Sequence, residues 1–313
     1  MNTKRNLFNS FKSIIRFLFL SGICIIILYP LFYSLSVALR SESDLYNPLV
    51  ILVPMHFTLG NIFNAFLRMD YMTSLFSSFF RDGISCILQL FACSMTGYGL
   101  ARFNFKGRKL ISAFMLAIII VPPQTYVIPN YIEFRYFDPI GLGKLLSRLF
   151  DINLSINLIN SPLSFFLPAM FSLGIRSGII IFMFRQFFRG MPAVLEEAAY
   201  IDGLSFRSTF FKIMLPNAKS AMVTSFLLSF VWYWNDYVYT SSLMPQSKTV
   251  MNQLSILFNN ISYIMQYEQN ASPYEGILLL QAGVFLSIIP VLIIYLIFQR
   301  QFTESIERSG IVG

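Results

Sequence analysis

Few side chains in this 313-residue chain could make or break bonds, and their spacing argues against it. His56 is the only histidine, so a multi-histidine metal site is excluded, and no nucleophile elbow accompanies it. Cys24, Cys86 and Cys93 fall in or beside apolar runs without ligand-like spacing, which reads as small buried hydrophobes with no need for a disulfide. The glycine-rich P-loop that cradles nucleotide phosphates is missing from the sequence. The chain is therefore not expected to be an enzyme, to hold a metal or to bind a cofactor.

The chemistry that remains is association and solute contact. Residues 185–216 are too polar to cross a membrane and too patterned to be a simple turn. Pro192 suits the first turn of a helix, and Glu196 and Glu197 near that start oppose the positive end of its dipole. Gly203 stops the helix or lets the chain reverse where a side chain would clash. A second short amphipathic helix is expected from about Ser205, its cap, to Ile213, with Leu215-Pro216 closing the segment. Leu204, Phe206, Phe210, Phe211, Ile213 and Met214 give the pair apolar side chains to spare. Such a helix–turn–helix suits docking into a groove on another protein and equally suits anchoring at a membrane surface. A second constellation, Trp232, Trp234, Asn235, Asp236 and Tyr237, combines aromatic faces that could stack on a sugar ring with polar groups that could line a solute path. Asn235 and Asp236 could instead bridge neighbouring helices.

The elements that must position these residues are membrane spans. The chain is 56% apolar and only 12% charged, with mean hydropathy +0.63, which leaves too little polar surface to coat a water-soluble body. A span needs about 20 apolar residues. Six candidates appear: residues 17–39, 83–101 with a start reaching back toward Leu75, 110–132, a stretch within 165–187, 220–239 and 277–298. Pro122, Pro123 and Pro129 must kink or end the third. Arg176 in the fourth either faces the interior or reaches the interface. The N-terminal flank holds Lys4, Arg5, Lys12 and Arg16, and no convincing cleavage site follows, so the first span is read as uncleaved.

The net charge of +8 does not indicate nucleic acid, because the basic residues cluster between apolar runs and are not interleaved with the aromatics of a groove. They mark a side of the membrane instead. The N-terminal tail, the turn with Arg102, Lys106, Arg108 and Lys109, and residues 185–219 carry most of them, so both termini are expected in the cytoplasm. The expected layout is a tail over 1–16, a first span over 17–39 and an outward loop over 40–74. A membrane core over 75–300 contains the loop 185–216, and a tail over 301–313 follows.

Glu197-Ala198-Ala199, three residues, Gly203, nine residues, then Ile213, one residue, Leu215-Pro216 matches the coupling-loop motif of permeases in binding-protein-dependent ABC importers. Within them the chain resembles the carbohydrate permeases, in particular the second membrane subunit of the maltose, glycerol-phosphate and multiple-sugar transporters. Phe57-Thr58-Leu59-Gly60-Asn61, Tyr98-Gly99-Leu100-Ala101-Arg102 with Phe105-Lys106-Gly107-Arg108, Phe187-Phe188, Ile201-Asp202-Gly203 and Trp234-Asn235-Asp236-Tyr237 carry that likeness. Residues 299–313 keep the glycine-rich ending only loosely.

The resemblance implies an all-α membrane protein of six transmembrane helices, the type I importer permease fold, with a coupling helix between the fourth and fifth. It implies a second homologous permease, two cytosolic ATP-binding subunits that use ATP and magnesium, an extracytoplasmic solute-binding protein and a sugar substrate in a bacterial plasma membrane. Glu196, Glu197, Ala198, Ala199, Asp202, Gly203, Ile213, Leu215 and Pro216 would then form the coupling site. An importer permease for a polyamine, peptide or amino acid is the competing reading. A secondary transporter would leave the motif without a purpose and would call for ionisable relays within the spans.

Overall fold

The computed structural model describes residues 2–138, 141, 155–267 and 273–310, with no side-chain detail for 2–11, 262–267, 273–275 and 302–310. The terminal residues 311–313 and most of the expected outward segments at 139–154 and 268–272 lie outside the described residues. Among the described residues the chain is helical almost throughout, and pairing of extended backbone is limited to two isolated bridges, Arg40 with Phe57 and Phe137 with Ile156.

The helices are α1 (Asn2–Ala38), α2 (Glu42–Leu45), α3 (Gly60–Arg68), α4 (Tyr71–Arg102), α5 (Arg108–Ile120) and α6 (Val127–Arg135), the last preceded by a 3₁₀ turn, Pro123–Tyr126. Then come α7 (Leu163–Met170), α8 (Ser177–Gly190), α9 (Val194–Ile201) and α10 (Phe206–Thr209). A π-helical turn, Phe210–Met214, leads to α11 (Leu215–Asn217) and α12 (Lys219–Trp234). The chain ends with α13 (Val238–Leu243), α14 (Val250–Tyr267) and α15 (Pro273–Gly310).

Among the described residues, three stretches are long and apolar enough to cross a membrane: Lys12–Ala38, Tyr71–Arg102 and Gly276–Gln301. Two bent pairs would raise the number to five if each counted as one span. The expected third span is one of these pairs. Pro122 forces the preceding Val121 out of helical geometry (ψ 121°), and the chain turns by 101° between α5 and the segment Pro123–Arg135. The expected fourth span is likewise interrupted, between α7 and α8, where Ser172 (φ 61°) and Arg176 (φ 54°) adopt left-handed backbone. The second bent pair joins α8 to α9 across 75°. The expected fifth span appears as α12, 16 residues long, and ends before Asp236.

The chain divides into two compact units. One comprises Met1–Tyr71 with Gln253–Ile289. In it the loop after α1 is stapled by polar groups. Arg40 donates to the carbonyls of Val50 (3.2 Å) and Ile51 (2.6 Å) and to Ser36 Oγ (3.0 Å). The Asn61 amide closes the end of α1 by donating to the carbonyls of Ala38 and Arg40. Asp44, 1% exposed, accepts from the backbone N–H groups of Met55 and His56 and pairs with His56 Nδ1 at 2.8 Å. Burial works against the Asp44 charge, but these hydrogen bonds and the His56 imidazole outweigh it and hold the carboxyl below its ordinary range. Cys24 on α1 is exposed, unlike the buried Cys86 and Cys93, because none of the apolar window of α1 is covered within the chain.

The other unit comprises Met72–Asn252 with Pro290–Gly313 and holds every residue of the two constellations singled out above. Its core is aromatic: Phe184, Phe188, Phe230, Tyr233 and Trp234 are each at most 2% exposed.

Candidate functional site

The segment around α9 is built on the end of α4. Ala193 precedes the helix, Glu196 and Glu197 occupy its first turn, and the chain reverses at Gly203 (φ 78°). No atom lies within 4 Å of where a Gly203 Cβ would sit, so the glycine is required for its backbone angle and not to avoid a clash. Ser205 caps α10, its hydroxyl accepting from the N–H of Ser208 at 3.4 Å.

The two adjacent glutamates point opposite ways. Glu196, 8% exposed, accepts from the Tyr98 hydroxyl at 2.5 Å and pairs with Arg102 at 3.0 Å. Arg102 also donates to the Met191 carbonyl at 2.6 Å. Tyr98 in turn packs among the rings of Phe103, Phe188, Phe206 and Phe210, with centroids 5.1 to 5.7 Å away. Glu196, Tyr98 and Arg102 thus bolt α9 to α4, a partnership between distant segments that the sequence did not disclose. The other face of α9 is open: Glu197 and Ala198 are exposed, as are Val194 (68%), Tyr200 (47%) and Ile201 (85%). An apolar, largely uncharged knob on a short, braced helix is a shape for insertion into a groove. Of the remaining candidates, Ala199 is buried, Asp202 and Pro216 are exposed, and Ile213 and Leu215 are half-buried on the return path.

The aromatic constellation separates. Trp234, 2% exposed, packs against Phe79 and Phe230. Asn235 is exposed and its amide donates to the Val231 carbonyl at 3.0 Å, while Tyr237 is exposed. Asp236 accepts from the N–H groups of Tyr239 and Thr240 in the first turn of α13 and from the Thr240 hydroxyl. That hydroxyl receives Arg81 Nη1 at 2.6 Å, and Arg81 pairs with Asp82 at 2.6 Å and lies over the Phe165 ring at 4.6 Å. Arg81 and Asp82 thus lie inside α4, and the Arg81–Thr240–Asp236 chain ties it to α13, the geometry of the helix-bridging alternative.

Trp232 is half-buried and reaches a cavity only through a neighbour. Its ring lies 5.3 Å from the Arg176 guanidinium carbon. Arg176 borders a cleft of about 750 Å³, walled by α5 and α8 and by both helix breaks, with Thr96, Gln124, Asn130 and Ser172 as polar lining. At the second break Gly174 approaches the Tyr233 hydroxyl so closely that a Cβ would collide with it. Non-helical backbone at membrane depth is tolerated where it is buried in protein or borders a water-filled cavity. Both breaks border this one cleft, whose lining is mostly apolar with a few polar groups among it. The paired prolines and the arginine in an apolar run were its only signals in the sequence. Among the described residues there is no group of three His, Cys, Asp or Glu side chains able to hold a metal.

Comparison with known proteins gives the family and the fold. The profile of the family described as "Binding-protein-dependent transport system inner membrane component" matches residues 90–308. The chain is similar to the arabinooligosaccharides transport system permease protein AraQ of Halalkalibacterium halodurans, at 26% identity over 93% of each chain. AraQ of Bacillus subtilis shares 29% identity over 78% of this chain and 74% of its own. The sulfoquinovosyl glycerol transport system permease protein SmoH of Agrobacterium fabrum shares 26% identity over 96% and 94%. A crystal structure of a bacterial ABC transporter involved in the import of the acidic polysaccharide alginate has a chain of the same fold, with TM-score 0.69, 21% identity and coverage of 93% of this chain and 96% of that one.

Proposed function

Because the chain belongs to the family of binding-protein-dependent transport system inner membrane components, we propose that it forms half of the translocation path of an ATP-driven importer for a sugar or sugar derivative. As a member of that family it is a multi-pass, non-catalytic membrane permease subunit of an ABC transporter. The sugar assignment is supported by the relatives, whose names specify arabinooligosaccharides and sulfoquinovosyl glycerol.

The observation that carries the reading is the two-faced α9. Its inner face is fixed to α4 through Glu196, Tyr98 and Arg102, and its outer face, Glu197, Ala198 and Ile201, is free to enter a cleft on a separate ATPase. Motion imposed on α9 by ATP-driven closure would pass along α4 and redistribute the conformations of the membrane core. In this reading six spans place both termini in the cytoplasm, α7 and α8 together make the fourth span, and α12 with the start of α13 makes the fifth. The layout keeps a tail over 1–16, a first span over 17–39, an outward loop over 40–74, the core over 75–300 and a tail over 301–313. Asp202, Gly203, Ile213, Leu215 and Pro216 shape the coupling loop, and Trp232 faces the solute. A second permease, two ATP-binding subunits using ATP and magnesium, and an extracytoplasmic binding protein complete the assembly in the bacterial plasma membrane.

Purification of the chain in mild detergent, followed by mass spectrometry, tests the assembly. Recovery of a second permease, an ATPase and a binding protein is expected, with sugar-stimulated ATP turnover after reconstitution. Recovery of the folded chain alone would overturn the proposal.

A further inference from the structure

We propose that Arg176, set against Trp232, is a recognition site for an oxyanion carried by the transported saccharide, so that the cargo is an acidic sugar bearing a carboxylate or sulfate-type group. The inference rests on the sugar-importer reading and narrows its substrate class. Arg176 occupies the break between α7 and α8 with φ 54°, a backbone conformation a non-glycine residue holds only when its surroundings impose it, and such residues gather at ligand sites. Arg176 lines the 750 Å³ cleft, and its guanidinium carbon lies 5.3 Å from the centroid of the Trp232 ring. Cation–π contact engages one face of the guanidinium and leaves its in-plane N–H donors available to an acceptor.

The surroundings are one-sided. No acidic residue borders the cleft, and among the described residues no carboxylate lies within ion-pair distance of Arg176. The polar groups that accompany it are neutral: the Thr96 and Ser172 hydroxyls, 3.0 Å apart, and the amides of Gln124 and Asn130. These can exchange hydrogen bonds with ring hydroxyls, while the exposed Arg176 offers the one positive charge bordering the cleft to an anionic group of the solute. The cleft falls in the size range of small-molecule sites. A planar carboxylate or a tetrahedral sulfate can accept two parallel N–H bonds from one guanidinium, which a neutral sugar cannot match.

The test uses the assembled transporter in proteoliposomes with its binding protein, probed with matched di- to tetrasaccharides that are neutral, carry uronate groups or carry sulfate groups. Uptake of the uronate or the sulfate series is expected, and comparing the two separates the sources of the oxyanion. Arg176→Gln is expected to lower that uptake at least ten-fold with unchanged assembly, and Arg176→Lys, which keeps the charge but loses the fork, to lower it several-fold. If the Gln variant does not assemble, the Lys variant gives the same reading through a loss confined to acidic cargo. Uptake of neutral saccharides alone, or unchanged acidic uptake in both variants, would overturn this inference and leave the sugar-importer reading standing. A carboxylate of the partner permease cross-linking to position 176 would also overturn it. Uptake of no saccharide of any class, with another solute transported, would remove both.

Discussion

The α9 loop and the cleft solve opposite problems. The loop presents a short surface made by one contiguous stretch, held from behind by a single buried carboxylate. The cleft is assembled from segments scattered between Thr96 and Ile181. A surface that must fit a conserved shape of partner can be written in consecutive residues. A surface that must fit a variable small molecule is distributed over helix ends and breaks.

The sharpest way to break that contrast is inside the loop itself, where neighbouring glutamates have opposite duties. Glu196→Ala strips Arg102 and Tyr98 of their buried partner and is expected to cost about 3 kcal/mol of stability, whereas Glu197→Ala, on the open face, should change it by no more than about 0.5 kcal/mol. Thermal unfolding of the purified complex measures both, and equal effects would mean that α9 is not braced as described. Next in size is the exposed knob. Ile201→Asp is expected to weaken ATPase association by about 2 kcal/mol, roughly 30-fold, with the discrimination between solutes unaltered, as read by co-purification and by uptake competition. A change in solute preference would erase the distinction between the two regions.

Smaller still is the hinge. Gly203→Ala meets no steric obstacle but forces a Cβ into left-handed backbone, for about 1 kcal/mol, so ATP turnover should persist while uptake per ATP falls. Unchanged stoichiometry would show that the turn geometry is not used in coupling. The stapled loop after α1 supplies a region independent of both. Because its folded-state carboxyl is held below the ordinary range, Asp44 adds stability that is complete above about pH 4 and fades as the pH falls through the lowered value. Hydrogen exchange of residues 40–60 should loosen only in that acid window, with α9 protected throughout. Loosening near neutral pH would assign the staple to another group.

How much of this was visible in the sequence follows the same division. The position of α9, its acidic first turn, the Ser205 cap and the reversal at Gly203 are local events governed by residue type, and they appear where the pattern placed them. The inward turn of Glu196 was not legible, because it depends on Tyr98 and Arg102 arriving 98 and 94 residues away by sequence. The prolines announced a break in the third span, but not its 101° turn. Nothing in an apolar run with one arginine distinguished a continuous fourth span from two helices flanking a left-handed backbone. Trp234 and Asp236 look like solute contacts on paper because the sequence has only 2 Trp and acidic side chains are rare in its apolar runs. Packing against Phe79 and the link through Thr240 to Arg81 use them within the fold.

The π-helical turn at Phe210–Met214 bears on how the family can vary in length. An α-helix advances by about 100° per residue, so deleting one residue from it turns everything downstream to a new face. A π turn already contains a surplus residue, and losing it restores ordinary α winding with both flanks still in phase. Removal of the exposed Lys212 should therefore be absorbed where it occurs, whereas the same one-residue deletion within α12 would swing Trp232 away from Arg176. The turn is the place in this loop where natural gaps in an alignment should collect.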